Sequence, residues 1–125
     1  MQDLPAIGWN RQNGLAFDFP LHDSLSYYHI DLIGRLRNTY TQDDLSLILQ
    51  VNAPSGVWFR DTVYFGLIHA YDRIWEDFRF SYCSKVAFAQ KGVWRFELWH
   101  NMDTDPLKGV LAIGLSIRKE DNGKK

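Results

Sequence analysis

The side chains that could do chemistry in this chain are few and scattered. Its histidines are His22, His29, His69 and His100, and no two stand at a spacing such as H-x-H or H-x-x-x-H that would turn both imidazoles onto one metal. The single cysteine, Cys83, excludes an intramolecular disulfide and paired C-x-x-C metal sites; a small core residue is the role expected of it. A lone thiol leaves the redox compartment open. His22-Asp23-Ser24 has the residue types of a hydrolase triad, but three neighbours on a turn cannot converge as base, orienter and nucleophile. The run Gly114-Leu115-Ser116-Ile117-Arg118 starts like a nucleophile elbow, yet it lacks the second glycine and continues as a strand with no helix behind it. Asp103-Thr104-Asp105 offers two carboxylates to calcium without the loop glycine and distal glutamate of an EF-hand, so turn capping is the stronger reading. No phosphate-cradling glycine loop is present. No catalytic residue, metal site or cofactor is expected.

Tryptophan is the residue type left to consider. Trp58, Trp75 and Trp99 fall on faces or loops that a strand pattern leaves at least partly exposed, whereas Trp94 reads as core. Exposed indoles on a β domain stack on sugar rings or anchor a protein partner. Burial of both strand faces would internalise them instead. These three form the candidate binding surface.

The elements that must position them have a period of two. Residues 15–19 alternate Leu15, Phe17 and Phe19 with Ala16 and Asp18, a first strand ended by Pro20. Residues 26–37 put Tyr28, Ile30, Leu32 and Leu36 on one face, and residues 45–51 put Leu45, Leu47, Leu49 and Val51 on one face before the turn residues Pro54-Ser55-Gly56. In residues 57–68 the alternation holds except at Asp61, which predicts a bulge near Asp61-Thr62. A loop followed by a short strand over 77–82 is expected next, then a further strand at 85–89. The chain closes on two strands, 93–100 with Trp94, Phe96 and Leu98 and 110–119 with Leu111, Ile113, Leu115 and Ile117. Asp103, Asp105, Pro106 and Gly109 join them as a tight hairpin turn.

Seven to eight short strands with turn signals between them predict an all-β fold, an antiparallel β-sandwich of jelly-roll or Ig-like kind. The organisation expected is a lead-in or tether over residues 1–14, one sandwich domain over 15–119 and a charged tail over 120–125. At 125 residues, 46% apolar and 15% aromatic, the chain has enough bulk to bury a core without metal or disulfide. Its 14 basic and 15 acidic residues are interspersed, which argues against a nucleic-acid partner. No apolar run approaches the length of a membrane span, and residues 1–10 are too polar for a signal peptide. Either a cytoplasmic protein or a mature export product fits.

Several collinear segments together resemble the gliding-motility-associated lipoprotein family GldH. They are Trp94, Phe96 and Leu98, then Met102, Asp103, Asp105, Leu107, Gly109 and Val110, then Ile113, Gly114, Leu115 and Ile117. Trp9, Phe17, Phe19, Asp23-Ser24, Tyr28, Ile30, Leu32, Arg35, Arg37, Tyr40, Leu45, Leu47 and Asp61-Thr62 agree in order. The resemblance implies a lipoprotein of the Gram-negative cell envelope, exported and held to a membrane by an N-terminal lipid on a cysteine upstream of this chain. Cys83 would not be that cysteine. With no catalytic set among its residues, the function expected is that of a non-enzymatic accessory or scaffold in an envelope protein complex, with envelope proteins as partners. The alternative is a carbohydrate-binding β-sandwich module that takes a glycan on its tryptophans.

Overall fold

The computed structural model describes residues 1–5, 8–22, 25–40, 42–67 and 74–120. Among these residues the elements are all strands: β1 (Gln2–Asp3), β2 (Leu15–Leu21), β3 (Tyr27–Arg37), β4 (Asp44–Asn52), β5 (Trp58–Gly66), β6 (Trp75–Ala87), β7 (Gly92–His100) and β8 (Val110–Lys119). All pair antiparallel, in two four-stranded sheets ordered β1-β8-β3-β6 and β2-β7-β4-β5. The expected antiparallel sandwich is the fold observed.

The period of two explains the core. Leu45, Leu47, Leu49 and Val51 of β4 are buried, as are Phe96 and Leu98 of β7 and Ile30, Leu32 and Leu36 of β3, so the two sheets face each other with these rows. Each such aliphatic or aromatic side chain contributes about 1.5–3 kcal/mol on burial. Phe88 gathers Phe19, Tyr28, Trp94 and Phe96 at one end of the sandwich, with ring centroids 4.9–6.4 Å away. Phe65 of β5 stacks on Phe80 of β6 at 4.4 Å, which clamps the two sheets together along one side.

The expected hairpin over 92–119 does not exist. β7 pairs with β2 and β4, β8 pairs with β1 and β3, and residues 101–109 carry the chain from one sheet to the other. Alternation says which face of a strand is apolar, and it is silent about which strand lies alongside. Gly109 does adopt the positive φ expected of it, at 93°, and its carbonyl accepts the Arg37 N–H.

Other boundaries differ for local reasons. Pro20 does not end β2: it pairs with Val93 at the margin of the sheet, where its missing N–H costs no ladder bond. The segments 77–82 and 85–89 are not two strands. The first and most of the second belong to the single strand β6, whose register against β3 shifts around Ile30 and whose Lys85 has a φ of 55°. Cys83 lies at that irregularity and is exposed, not core. No bulge occurs at Asp61-Thr62, because the β4–β5 register is continuous. Asp61 is tolerated on the inner row since it sits at the sandwich margin, where its carboxylate accepts the Tyr82 hydroxyl at 2.8 Å.

Residues of the lead-in are built into the body instead of standing off it. Gln2 and Asp3 pair with β8, Trp9 is fully buried and bridges to Leu107, and the Trp9 indole N–H donates to the Asn13 carbonyl at 2.7 Å. The expected loop before β6 falls largely on residues 68–73, and most of the tail on 121–125; both lie outside the described residues.

Candidate functional site

Strand alternation sends one set of side chains from β5, β4 and β7 out to solvent. Trp58, Arg60, Thr62 and Tyr64 of β5 stand beside Ile48, Gln50 and Asn52 of β4, and these stand beside Arg95, Glu97 and Trp99 of β7. At the centre Arg60 packs between two indoles, its guanidinium carbon 5.8 Å from the Trp58 ring centroid and 5.4 Å from that of Trp99. Cation–π contacts of this exposed kind contribute about 0.5–1 kcal/mol each. The Gln50 amide oxygen accepts from Arg60 Nε at 3.1 Å and from a terminal guanidinium nitrogen at 2.6 Å. Gln50 donates in turn to Asn52 at 3.0 Å, Asn52 donates to the Arg95 carbonyl, and Arg95 pairs with Asp18 at 3.0 Å. The result is a pre-ordered aromatic and cationic platform.

The expected tryptophan surface divides here. Trp58 is 57% exposed and Trp99 is half-buried, its indole lying against Gly14 so closely that a Cβ there would come within 2.6 Å of its nitrogen. Trp75 is also exposed, but it belongs to β6 and lies on the outer face of the other sheet. There Arg35 covers its ring at 4.1 Å and pairs with Asp77 at 2.7 Å. Trp75 is therefore not part of the Trp58–Arg60–Trp99 platform. Trp94, read as core, is partly buried against the core, and its indole N–H donates to the Gln90 carbonyl.

The outer face of the β1-β8-β3-β6 sheet holds a polar cluster that residue spacing did not announce. The Asp31 side chain is only 3% exposed because Arg79, Arg118 and His29 cover it. Burial alone would raise its pKa, but hydrogen bonds from Arg79 and His29, with their charges, outweigh that and hold it below the ordinary carboxylate value. Ser81 Oγ approaches His29 Nε2 at 3.3 Å, so serine, histidine and aspartate do meet. Both oxygens, however, address the same ring nitrogen, Asp31 at 2.7 Å. A relay needs the carboxylate on Nδ1 and the hydroxyl on Nε2, so this trio is an ion-pair cap on a sheet and not a nucleophilic array.

His100 is another buried polar group. It has no exposure, its Nδ1 accepts the Met102 N–H at 3.2 Å, and its Nε2 therefore carries the proton donated to Asp105 at 3.2 Å. Asp105 also accepts the Arg11 N–H at 2.7 Å, so this carboxylate joins the lead-in to the crossover 101–109. Among the described residues no group of three or more His, Cys, Asp or Glu side chains could hold a metal ion, and no helix is long and apolar enough to cross a membrane.

The sequence model of the GldH lipoprotein family matches residues 1–117. No curated protein and no solved structure matches the chain.

Proposed function

The chain belongs to the GldH lipoprotein family, and on that premise we propose that it is a non-enzymatic accessory or scaffold of an envelope protein complex. Its Trp58–Arg60–Trp99 platform is the surface that engages an envelope protein. The observation that carries this reading is Arg60 held between two indoles on a sheet face with no layer over it among the described residues. Tryptophan and arginine dominate the energetic centres of protein interfaces, and here the side chains are already ordered by Gln50, so little rotamer entropy remains to be lost on binding.

The domain is exported to the Gram-negative envelope and lipid-anchored at its N-terminal side. Met1 lies against Gly114, whose added Cβ would sit 2.8 Å from the Met1 Cα, on the β1-β8-β3-β6 sheet. An anchor preceding it leaves the opposite sheet, with the platform, directed away from that attachment. The absence of catalysis is supported by the shared use of His29 Nε2 in the one Ser-His-Asp grouping described above.

A surface glycan is the rival ligand for the same face. Sugar sites pair an indole with free amides, and here the Gln50 and Asn52 amides already bond to Arg60, Arg95 and each other. Binding of the isolated domain to a glycan array, with no envelope protein retained on a column of the same domain, would replace the protein partner by a sugar. Trp58→Ala with Trp99→Ala, its fold checked by circular dichroism, abolishes retention of the envelope protein on the scaffold reading.

A further inference from the structure

Among the described residues four strands lie at the margins of the two sheets, and three of them are blunted. β1 is two residues long, β2 contains Pro20, and β6 is broken by register shifts opposite Ile30 and by the left-handed Lys85. β5 has none of these devices: its nine residues pair with β4 without a shift. Straight, exposed margins of this kind accept another strand.

The pairing also fixes which backbone groups of β5 are available. The Leu67 N–H donates to the Asp43 carbonyl and the Ala53 N–H to the Val57 carbonyl, both at 2.8 Å, and both pairs continue the β4–β5 register. Antiparallel ladders exchange hydrogen bonds at every second pair, so Phe59, Asp61, Val63 and Phe65 turn their N–H and C=O groups to β4. Trp58, Arg60, Thr62 and Tyr64 turn theirs away from β4, and none of these groups has a backbone partner among the described residues. Beside this margin, between β5 and β6, opens an apolar cavity of about 220 Å³, lined by Ile30, Val51, Phe59, Tyr82, Cys83 and Val86 among others.

We propose that β5 is the docking edge for an extended segment of a partner polypeptide, which adds a fifth strand to the β2-β7-β4-β5 sheet and sets one apolar side chain into the cavity beside Phe59. This rests on the reading that the domain serves a protein complex. The added strand bonds to Trp58, Arg60, Thr62 and Tyr64; its residues opposite these four lie on the platform face, and the intervening ones point to the cavity side. A second copy of this chain fits less well. Self-pairing centred on Asp61 opposes two carboxylates and self-pairing centred on Arg60 opposes two guanidiniums. Of the copy's cavity-side residues Val63 and Phe65 are buried in its own core, and the half-exposed Phe59 already lines the copy's own cavity. A foreign segment, apolar at alternate positions, has both faces free.

Selection of a phage-displayed random dodecapeptide library on the immobilised 125-residue chain tests this. Enriched peptides are expected to carry apolar residues at alternate positions and to slow alkylation of Cys83 by iodoacetamide. N-methylation of every second backbone nitrogen should abolish binding in one parity and spare it in the other. Thr62→Pro, which removes a donor that β4 does not use, should weaken binding at least tenfold; the N-methylated peptides keep the test valid if that variant misfolds. Failure to enrich any peptide, equal binding by both N-methylated forms, or a concentration-dependent homodimer lost in Thr62→Pro would overturn the proposal. If Thr62→Pro still retains the envelope protein while Trp58→Ala with Trp99→Ala does not, the edge is not the docking site and the scaffold reading stands.

Discussion

His100 and Asp105 are joined across the start of the crossover, Nε2 to Oδ1 at 3.2 Å, with the imidazole wholly buried and the carboxylate near the surface. Burial depresses the His100 pKa, and the hydrogen bond and charge of Asp105 offset this only in part. The folded protein thus keeps a neutral imidazole at a pH where the unfolded chain, near 6.5, takes up a proton. More protons are bound by the unfolded state in that window, so stability falls as pH drops below about 6.5. Asp105, Asp31 and Asp77, all held below the ordinary value of 3.8, remove further stability as pH falls through that value. The urea midpoint is expected to decline in two stages, and His100→Gln should abolish the first.

At the alkaline end the sign reverses. Burial, first of all, raises the pKa of Tyr40 and Tyr82 well above the ordinary 10, with Asp44 and Asp61 adding to it. Unfolded phenols ionise near 10 while these stay protonated, so stability declines as pH rises above 10. Tyr82→Phe should reduce that decline, and ultraviolet titration of phenolate should show two tyrosines that ionise only on unfolding.

Gly109→Ala should destabilise the fold by at least about 1–3 kcal/mol, the cost of a non-glycine residue at a strained positive φ. A Cβ there also meets the Tyr40 backbone at 2.8–2.9 Å, and main chain cannot rotate aside. A urea titration measures the loss; no change in midpoint would contradict the crossover geometry.

Asp31→Ala strips the carboxylate from beneath Arg79, Arg118 and His29 and should cost about 1–3 kcal/mol. Arg79→Ala should cost less, because Arg118 and His29 still neutralise Asp31. Thermal melts of the two variants give the order.

Much of the strand content was legible, since β3, β4, β7 and β8 bury apolar rows against a common core and period two is the direct consequence. Non-local pairing was not. Nothing in Trp94, Phe96, Leu98 or in Ile113, Leu115, Ile117 tells that the two rows face each other from separate sheets. The exposure of Trp58 followed from alternation, but its grouping with Trp99 and its separation from Trp75 depend on strand order. Cys83 and the Asp31 cluster escaped for the same reason: a register shift in β6 and partners some 50 to 90 residues distant decide their environment.

The most direct test of the account replaces Tyr64, 65% exposed beside the platform on β5, with a benzophenone amino acid in the native bacterium. Irradiation should yield a covalent adduct with a defined envelope protein, absent when Trp58 and Trp99 are also changed to alanine. Recovery of no protein adduct from Tyr64, with an adduct formed instead from the same probe at Trp75, would contradict it.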